Sequence, residues 1–370
     1  MSKLQKKPQT ITPEKSIYLN RQKKLKIACS NFKVSYFFTS SKNHLRYLTG
    51  YHGSNGLFVL TPSDTIFVTD SRYESLIEKN VFADKKFIGS GNLLDIIYKN
   101  NIFKGKEFIG FNPSTIKYSD YEFVKKNKTS QKLIGLPFLI EKLMAIKTQD
   151  EINKIKKAVK ITDLVFEKIL KIISPNTSEH DISAEITYQH QKLGAECDAF
   201  PPIIAIAKRS ALPHSHPTNK KLTKGELILD FGCRFDGYNS DLTRTVYIGK
   251  TPKNFKENYN FVLEAQQKTI EQLKIGMKGC EVDSIARNYL KEKKLDKYFT
   301  HSVGHGLSLD VHAFPRLSKT SNDILQKNNV ITIEPGIYFK NNYGIRIEDD
   351  ILVSDKPEIL NKSTKNLIEL

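Results

Sequence analysis

Three short apolar segments of this chain each end in a carboxylate, and this feature restricts its fold more than any other. The segments read ELILD, ITIE and GIRIE, and they end in Asp230, Glu334 and Glu348. An apolar strand is normally buried, and burial of an unpaired charge either costs several kcal/mol or shifts the pKa of the group. We therefore expect these carboxylates to share a partner inside the folded protein.

A fourth carboxylate stands close to the first. Asp241 follows Asp230 by eleven residues, and Asp236 and Gly237 between them are a turn signal. The two carboxylates can therefore face each other across a hairpin. Like charges at such a distance would raise one pKa sharply unless a cation lay between them. A metal ion is the natural cation.

Histidines supply a further ligand type. The segment HSVGHG contains His301 and His305 beside glycines that permit close backbone approach, and His312 lies seven residues beyond His305. Four carboxylates with one imidazole form an oxygen-rich set that suits Mn²⁺, Co²⁺ or Zn²⁺, and four negative charges roughly balance two divalent ions. The sequence therefore predicts a site for two divalent metal ions.

Each of these features has a plainer interpretation when it is taken alone. An Asp at the end of a strand is more often a turn cap than a ligand, and a lone His is more often a hydrogen-bonded structural residue. Glu348, Asp349 and Asp350 could form a solvated acidic turn. The prediction of a metal site depends on the combination.

The length of the chain predicts two domains, because single hydrophobic cores stop growing near roughly 250 to 300 residues. Thr148 to Glu151 reads TQDE, which has the form of a capping box at the start of a helix. We place the boundary just before it, with domains at 1–145 and 146–370. The pattern of residues 1–145 predicts a smaller α/β domain. In residues 146–370 the predicted strands and helices are mixed without strict alternation, which favours an α+β fold.

Hydrophobic periodicity and turn residues predict the following elements. In the first domain we expect a sheet with a hairpin over 34–73, helices at 92–99 and 118–127, and a strand at 107–111. In the second we expect helices from 148, from 178 to before Gly194, and at 256–274 and 281–294, with strands at 203–207, 227–231, 243–248, 331–339 and 344–353.

The formal net charge of +18 suggests nucleic-acid binding at first sight. The lysines are spread along the whole chain, however, and many fall in helical stretches where they read as solvated faces, so specific nucleic-acid binding is not favoured. The first 28 residues are Lys-rich and predict a basic tail, or a helix from about Pro13. No apolar run is long enough to span a bilayer, and four widely separated cysteines favour a reducing cytoplasm.

At these motifs the sequence resembles the metallopeptidase superfamily of prolidase, Xaa-Pro aminopeptidase, methionine aminopeptidase and creatinase. The resemblance implies that the five metal ligands, in order, are Asp230, Asp241, His305 in GHG, Glu334 in IEPG and Glu348 in RIED. The stretches NHLRYLTG, GSNG and TDSRY resemble the creatinase-type N-terminal domain, which methionine aminopeptidases lack. A pita-bread fold for the second domain and a homodimer are further implications of this resemblance.

The same resemblance implies catalytic roles. His214 is similar to a histidine that faces the substrate, and His312 to one that binds the scissile carbonyl, while Glu334 would also accept and return a proton. His301 and Arg346 match accessory positions of the active site. Two departures concern the substrate pocket: Ile206 and Ala207 replace a usual Ser-Gly pair, and Ala313 replaces a frequent Glu.

These roles imply an exopeptidase that releases the N-terminal residue from peptides with Pro in the second position, an Xaa-Pro aminopeptidase, with Mn²⁺ as the expected metal. A strict Xaa-Pro dipeptidase (prolidase) is the nearest alternative, and a non-catalytic pita-bread module that binds proteins or nucleic acid is a more remote one. Creatinase activity is disfavoured, because that relative lacks the metal-binding set that is complete in this sequence.

Overall fold

A computed structural model describes residues 13–105, 107–128 and 130–370 of the chain. It divides into two compact units, Met1–Met144 and Ala145–Leu370. The predicted basic tail lies outside the described residues, whereas the helix predicted from Pro13 is present. None of the described helices combines the length and the apolar composition that crossing a bilayer requires.

Within its described residues, the first unit contains six helices and six strands. The helices are α1 (Pro13–Ser30), α2 (Lys42–Thr49), α3 (Glu74–Asn80), α4 (Leu93–Lys99), α5 (Tyr118–Asn127) and α6 (Leu139–Ala145). The strands are β1 (Tyr36–Thr39), β2 (Leu57–Leu60), β3 (Thr65–Asp70), β4 (Lys85–Gly89), β5 (Phe108–Phe111) and β6 (Lys132–Gly135). A short 3-10 turn, Ser71–Tyr73, precedes α3.

These strands form one mixed sheet in the order β4-β3-β2-β1-β5-β6. The antiparallel pair of β2 and β3 is the predicted hairpin, and β5 lies parallel to β1 and β6. Sequence reasoning missed α2, which Gly50 ends in a left-handed conformation at φ +80. Strands and helices together confirm the α/β class of this unit.

The second unit contains four long helices and thirteen short strands. The helices are α7 (Gln149–Leu170), α8 (Glu179–Lys192), α9 (Lys253–Gln272) and α10 (Gly279–Glu292). The strands are β7 (Cys197–Asp198), β8 (Ile203–Ile206), β9 (Gly225–Phe231), β10 (Cys233–Phe235), β11 (Tyr238–Asn239), β12 (Leu242–Ile248), β13 (Gly304–Gly306), β14 (Ala313–Leu317), β15 (Val330–Ile333), β16 (Gly336–Tyr338), β17 (Gly344–Arg346), β18 (Asp349–Leu352) and β19 (Glu358–Ile359). Two 3-10 turns cover Ala207–Ala211 and Asp296–Tyr298.

This unit has two halves that are built alike, residues 149–248 and 253–359. In each half a pair of long helices packs on antiparallel strands and encloses its own apolar core. The predicted capping box at the start of α7 is present, with the Glu151 carboxylate accepting the Thr148 N–H at 2.7 Å. Helices packed against antiparallel strands confirm the α+β class.

The sheets of the two halves differ in size. In the first half, β9 pairs with β12 and β8 in the order β12-β9-β8, beside a small sheet of β11, β10 and β7. Asp236 and Gly237 turn the chain between β10 and β11 with positive φ values of +45 and +82, as their sequence predicts. In the second half, five strands follow the order β14-β13-β15-β18-β19.

Two strand predictions were wrong. The expected strands at 331–339 and 344–353 are each broken in two, because β15 and β18 pair in the five-stranded sheet whereas β16 and β17 form a separate hairpin. Pro335 lacks the N–H that would continue the first ladder. The breaks fall at Glu334 and Glu348, so each carboxylate leaves the sheet where its strand changes partners.

Residues 360–370 run back across β12. The N–H of Tyr247 donates to Ile368 O at 2.9 Å, and the N–H of Leu370 donates to Tyr247 O at 2.9 Å. Arg244, which is fully buried, donates through its guanidinium to the carbonyls of Ser363 and Thr364 at 2.8 and 2.9 Å. This C-terminal segment therefore completes the edge of the first-half sheet.

Candidate metal centre and catalytic site

The five side chains predicted as metal ligands stand at strand ends of the second unit. Asp230 lies in β9, Asp241 directly before β12, His305 in β13, Glu334 directly after β15 and Glu348 directly before β18. Two backbone hydrogen bonds join these strands: the N–H of Glu348 donates to Thr243 O at 3.1 Å, and the N–H of Glu334 donates to Val303 O at 2.8 Å. The fold therefore brings together residues from four segments of the chain.

His305 lies at the centre of the group. Its Nε2 is 3.4 Å from Glu334 Oε1 and 3.8 Å from Asp241 Oδ2. One ligand atom each from Asp241, His305 and Glu348 lie within 4.8 Å of one another. Asp230 completes the group, because its charge acts on Asp241, Glu334 and Glu348.

The electrostatics of these carboxyl groups are those of crowded, buried acids. Burial raises the pKa of Asp241 and of Glu348 well above the usual range, and neighbouring acids add to both rises. Burial also raises the pKa of Asp230, against the opposing effect of Arg346. The pKa of Glu334 rises to about 7 for the same reason of burial. Such a group favours a cation that can neutralise it.

His305 is oriented as a metal-binding imidazole. Its Nδ1 lies 3.0 Å from Gly306 O, which can only accept, so the ring proton is on Nδ1 and the Nε2 lone pair faces the acids. Burial, and to a smaller extent His312, lowers the pKa of His305 to about 4, which keeps the ring neutral. A side chain at Gly306 would collide with the Phe314 carbonyl, which explains the second glycine of GHG.

The residues present fit a divalent metal ion. Asp241 Oδ1 is buried and has no hydrogen-bond partner within the described part of the chain, and an orphaned buried acceptor of this kind is costly unless a cation completes it. Carboxylate oxygens with one imidazole are the donors that Mn²⁺, Co²⁺ and Zn²⁺ accept.

Arg346 anchors the floor of the site. Its guanidinium forms a buried ion pair with Asp230 and donates to Tyr338 Oη at 2.6 Å and to Thr243 Oγ1 at 3.1 Å. Thr243 in turn donates to Glu348 Oε2 at 2.6 Å. Arg346 therefore links ligand candidates of both halves of the unit.

His301 lies on the same chain of contacts. Its Nδ1 is 2.8 Å from Ser302 O, so the proton is on Nδ1, and Nε2 accepts the Tyr338 hydroxyl at 3.0 Å. The ring stands 4.0 Å from Glu334 Oε2. Burial, followed by Arg346, lowers the pKa of His301 to about 3. Ser302 and Tyr338 therefore occupy both ring nitrogens of the neutral His301, and the ring lies beside Glu334 beyond hydrogen-bond distance.

The other two histidines predicted for the active site, His214 and His312, are exposed. His312 packs its ring against that of His305 with centroids 4.4 Å apart. Desolvation lowers the pKa of His312, the charge of His214 lowers it further, and Asp230 opposes both effects. His312 therefore lies beside His305 on the second half of the unit, and His214 on the first half follows Pro213, whose carbonyl accepts from Arg346 at 3.3 Å.

Sequence reasoning missed three residues that support the site: Thr243, Tyr338 and Asp350. Asp350 is fully buried, and its Oδ2 accepts the N–H of Asp241 at 3.0 Å. The signal for Asp350 was present, because a second acid inside an apolar strand needs a partner as much as Glu348 does. Thr243 and Tyr338 carry no such signal, since both residue types are common in strands.

Comparison with known families gives two matches. Residues 153–355 match the model of metallopeptidase family M24, and residues 21–146 match that of the creatinase/prolidase N-terminal domain. The first match covers most of the second unit and all five ligand candidates.

Individual relatives match over nearly their whole length. The chain is 35% identical over 335 residues to an Xaa-Pro dipeptidase of Pyrococcus furiosus, covering 90% of this chain and 94% of the relative. It is 32% identical over 348 residues to a putative Xaa-Pro aminopeptidase of Mycoplasma genitalium, covering 90% and 93%. The solved structure of an Xaa-Pro dipeptidase from Bacillus anthracis superposes with a TM-score of 0.92 at 35% identity, covering 95% of this chain and 100% of that one.

Proposed function

Because this chain belongs to metallopeptidase family M24, we propose that it is an Xaa-Pro aminopeptidase with a dinuclear metal site. Its first unit is a creatinase-type N-terminal domain, and its second has the pita-bread fold expected from sequence. M24 metallopeptidases use divalent metals and act on peptides. The specificity for Pro in the second position, the number of ions and the residue roles below are parts of the proposal.

Asp230, Asp241, His305, Glu334 and Glu348 would hold two divalent ions, with Mn²⁺ as the proposed metal. When bound, such ions supply a Lewis acid and lower the pKa of coordinated water from about 16 towards roughly 7. The neutral His305 offers its Nε2 lone pair without first losing a proton. Asp350 keeps Asp241 in place through its backbone N–H.

Glu334 would carry the proton. Its carboxylate lies between His305 and His301, and a general base acts best when its pKa is near the working pH. We propose that Glu334 takes a proton from the attacking water and delivers it to the leaving nitrogen. His301, whose ring is held by Ser302 and Tyr338, would limit the space available to this carboxylate from 4.0 Å away.

The exposed histidines would bind the peptide. His312 would donate to the carbonyl oxygen of the scissile bond as negative charge develops there, a role worth roughly 3 to 4 kcal/mol per donor in comparable sites. His214 would contact the substrate from the other half of the unit. Arg346 would hold Asp230 and Tyr338 in position, through its ion pair with the first and its hydrogen bond to the second.

One observation supports this function above all others: the carboxylates approach a single imidazole whose free nitrogen points at them. Replacement of Glu334 by Ala tests it. We expect loss of bound metal and of Xaa-Pro hydrolysis in a protein that still folds, measured by metal analysis, peptide assay and circular dichroism. Metal content and hydrolysis both near wild type would remove Glu334 from the site.

A strict Xaa-Pro dipeptidase is the second candidate, because relatives with that name match this chain as well as those named aminopeptidases do. Both activities use the same metals and acids and differ in how far the substrate extends beyond Pro. Gly-Pro and an Xaa-Pro-Pro tripeptide separate them. Cleavage of the tripeptide at its first bond supports the aminopeptidase, and cleavage of the dipeptide alone supports the dipeptidase.

The remaining expectations stay part of this proposal. We propose a cytoplasmic homodimer with domains at 1–145 and 146–370 and with no specific nucleic-acid binding. A non-catalytic module is disfavoured, because a chain without metal chemistry would have no need for a buried group of like charges. Nucleic-acid affinity that falls steeply with salt would revive the binding alternative.

A further inference from the structure

His214 stands on a long loop between β8 and β9, which we call the His214 loop (residues 207–218). Apart from the 3-10 turn Ala207–Ala211 it has no regular structure. Its tip is exposed, with Leu212 at 56% exposure beside His214. A loop of this length needs side-chain anchors, because its backbone groups have no ladder or helix to satisfy them.

One buried carboxylate anchors both ends of this loop. Glu179, the first residue of α8, has no exposed surface. Its Oε1 accepts the N–H of Ile206 at 3.0 Å, directly before the loop. Its Oε2 accepts the N–H of Thr218 at 2.9 Å and the Thr218 hydroxyl at 2.6 Å, at the far end.

Arg209 connects this carboxylate to the part of the loop that carries His214. Its Nε lies 3.0 Å from both oxygens of Glu179. Its Nη2 donates to Ser215 Oγ at 2.9 Å and to the carbonyl of His216. The residues that follow His214 are therefore tied, through one guanidinium, to the carboxylate that fixes both loop ends.

The loop begins in an unfavourable backbone conformation. Ala207 has a φ of +53, a value that L residues rarely adopt. The hydrogen bond from Ile206 to Glu179 fixes the residue before it. Ser210 fixes the residues after it, because its Oγ accepts the N–H of Gly344 at 2.8 Å and donates to Glu226 at 3.1 Å. A strained conformation persists only where its surroundings determine it in this way.

We propose that Glu179 and Arg209 are positioning residues that set the place of His214 at the mouth of the metal centre. Neither side chain belongs to the acid group, and both act through the His214 loop. Substrate binding would then depend on a buried carboxylate on the far side of that loop. The effect on substrate binding rests on the proposed peptidase function, whereas the role of Glu179 and Arg209 in holding the His214 loop does not.

Replacement of Glu179 by Gln tests the proposal, since the amide keeps the shape but turns a donor towards the Ile206 or Thr218 N–H. In the metal-loaded protein we expect kcat/KM for an Xaa-Pro peptide to fall about 10- to 100-fold, with metal content unchanged. Hydrogen exchange at the amides of Ile206 and Thr218 should become faster, while exchange in α10 stays the same.

Asp181→Asn is the matched control. Asp181 lies in the same first turn of α8, is exposed, and accepts the Ser178 N–H at 2.7 Å, but it has no contact with the His214 loop among the described interactions. We expect unchanged kcat/KM and unchanged loop exchange in this variant. If Glu179→Gln does not fold, Thr218→Val removes the hydroxyl bond to Glu179, together with the bond from the Lys220 N–H, and should give the same changes at smaller size.

A double-mutant cycle distinguishes positioning from general destabilisation. If Glu179 acts through His214, Glu179→Gln should cause little further loss of kcat/KM in a His214→Ala background. Additive losses, or full activity with unchanged exchange in the single variant, would overturn the proposal. If the wild type cleaves no Xaa-Pro peptide, the proposed function fails, and the exchange data alone decide whether Glu179 holds the loop.

Discussion

The two halves of the second unit each hold a histidine-bearing loop against a helix, but they use different hydrogen bonds to do so. The helices α8 (Glu179–Lys192) and α10 (Gly279–Glu292) have equal length, and an acid in the third position of each accepts the N–H of the residue before the helix, at 2.7 Å in both. Each helix precedes a loop that carries a histidine of the proposed active site. The scaffold is shared, and the attachment of the loop differs.

In the second half, the acid and the arginine that hold the loop both belong to the helix. Asp283 and Arg287 pair on α10 at 2.7 Å. The Asp283 carboxylate accepts the N–H of Val303 at 3.0 Å, and Arg287 donates to the carbonyls of Phe299 and His301 at 2.8 and 2.9 Å. In the first half, Glu179 belongs to the helix α8, but its partner Arg209 belongs to the His214 loop. A pair fixed on a helix depends less on loop conformation, so the second half should hold its histidine more rigidly than the first.

The largest expected effect tests whether both halves are needed for the metal. Asp241→Asn in the first half and Glu348→Gln in the second remove one negative charge each without a large change in shape. We expect either variant to lose metal and at least about 10³-fold in activity, because each half supplies two of the four acids. Metal analysis and Xaa-Pro hydrolysis measure this. Full metal occupancy in one variant would show that its half is dispensable.

The exposed histidines should separate the roles of the halves. For His312→Ala we expect normal metal content and a fall in kcat of about 10²- to 10³-fold, as for loss of an oxyanion donor. For His214→Ala we expect a smaller loss that appears mainly in KM, because this residue is proposed to contact the substrate and not the developing oxyanion. Steady-state kinetics with matched metal analysis decide between them. Equal losses in kcat would contradict the different roles proposed for the two histidines.

The metal-free protein should show the electrostatic strain of the acids directly. The pKa of Glu334 rises from 4.5 to about 7 on folding, so the folded state holds more protons than the unfolded chain between these values. Stability therefore falls as pH rises through this window, by roughly 3 kcal/mol for this one group. Glu334→Gln removes this dependence.

Urea unfolding of chelator-treated wild type and Glu334→Gln, measured from pH 4 to pH 8, checks this sign. We expect the two proteins to agree below pH 4.5 and the variant to be the more stable above pH 7. A constant difference across the range would mean that Glu334 has no raised pKa. Added metal should reverse the order, because only the wild type keeps its full ligand set.

The smallest expected effect concerns the strained start of the His214 loop. Ala207→Gly relieves a left-handed conformation that costs about 1 to 2 kcal/mol for an L residue, and it adds roughly 0.5 to 1 kcal/mol of backbone entropy to the unfolded state. We expect a net stabilisation of about 0.5 kcal/mol by urea unfolding. Ala205→Gly, two residues earlier in the buried strand β8, is the control and should destabilise. Destabilisation by Ala207→Gly would mean that the Ala207 methyl contributes packing that outweighs the strain.

The sequence allowed much of this unit to be predicted because burial and charge conflict visibly in a linear chain. Asp230, Glu334 and Glu348 each end an apolar segment, and that conflict predicted a metal centre before any geometry was known. The turn at Asp236 and Gly237 and the capping box at Thr148 followed from local chemistry that acts over a few residues.

The remaining features depend on contacts between distant residues. Hydrophobic periodicity predicted unbroken strands at 331–339 and 344–353. It could not predict the breaks at Glu334 and Glu348, because an apolar pattern carries no information about which strand pairs with which. Glu179 looks like any acid in the first turn of a helix, and only the fold brings it to Ile206 and Thr218. Supporting residues of this kind are visible from structure alone.

The C-terminal segment that runs back across β12 has a consequence for biosynthesis. Residues 368–370 complete the edge of the strand that follows Asp241, and Arg244 ties residues 363 and 364 beneath it. At about 5 to 20 residues per second, the ribosome makes Glu348 roughly 1 to 4 s, and Asp230 roughly 7 to 28 s, before it makes residue 368. The edge of the strand that follows Asp241 is therefore completed only after every proposed ligand has been made, by residues that belong to no part of the acid cluster.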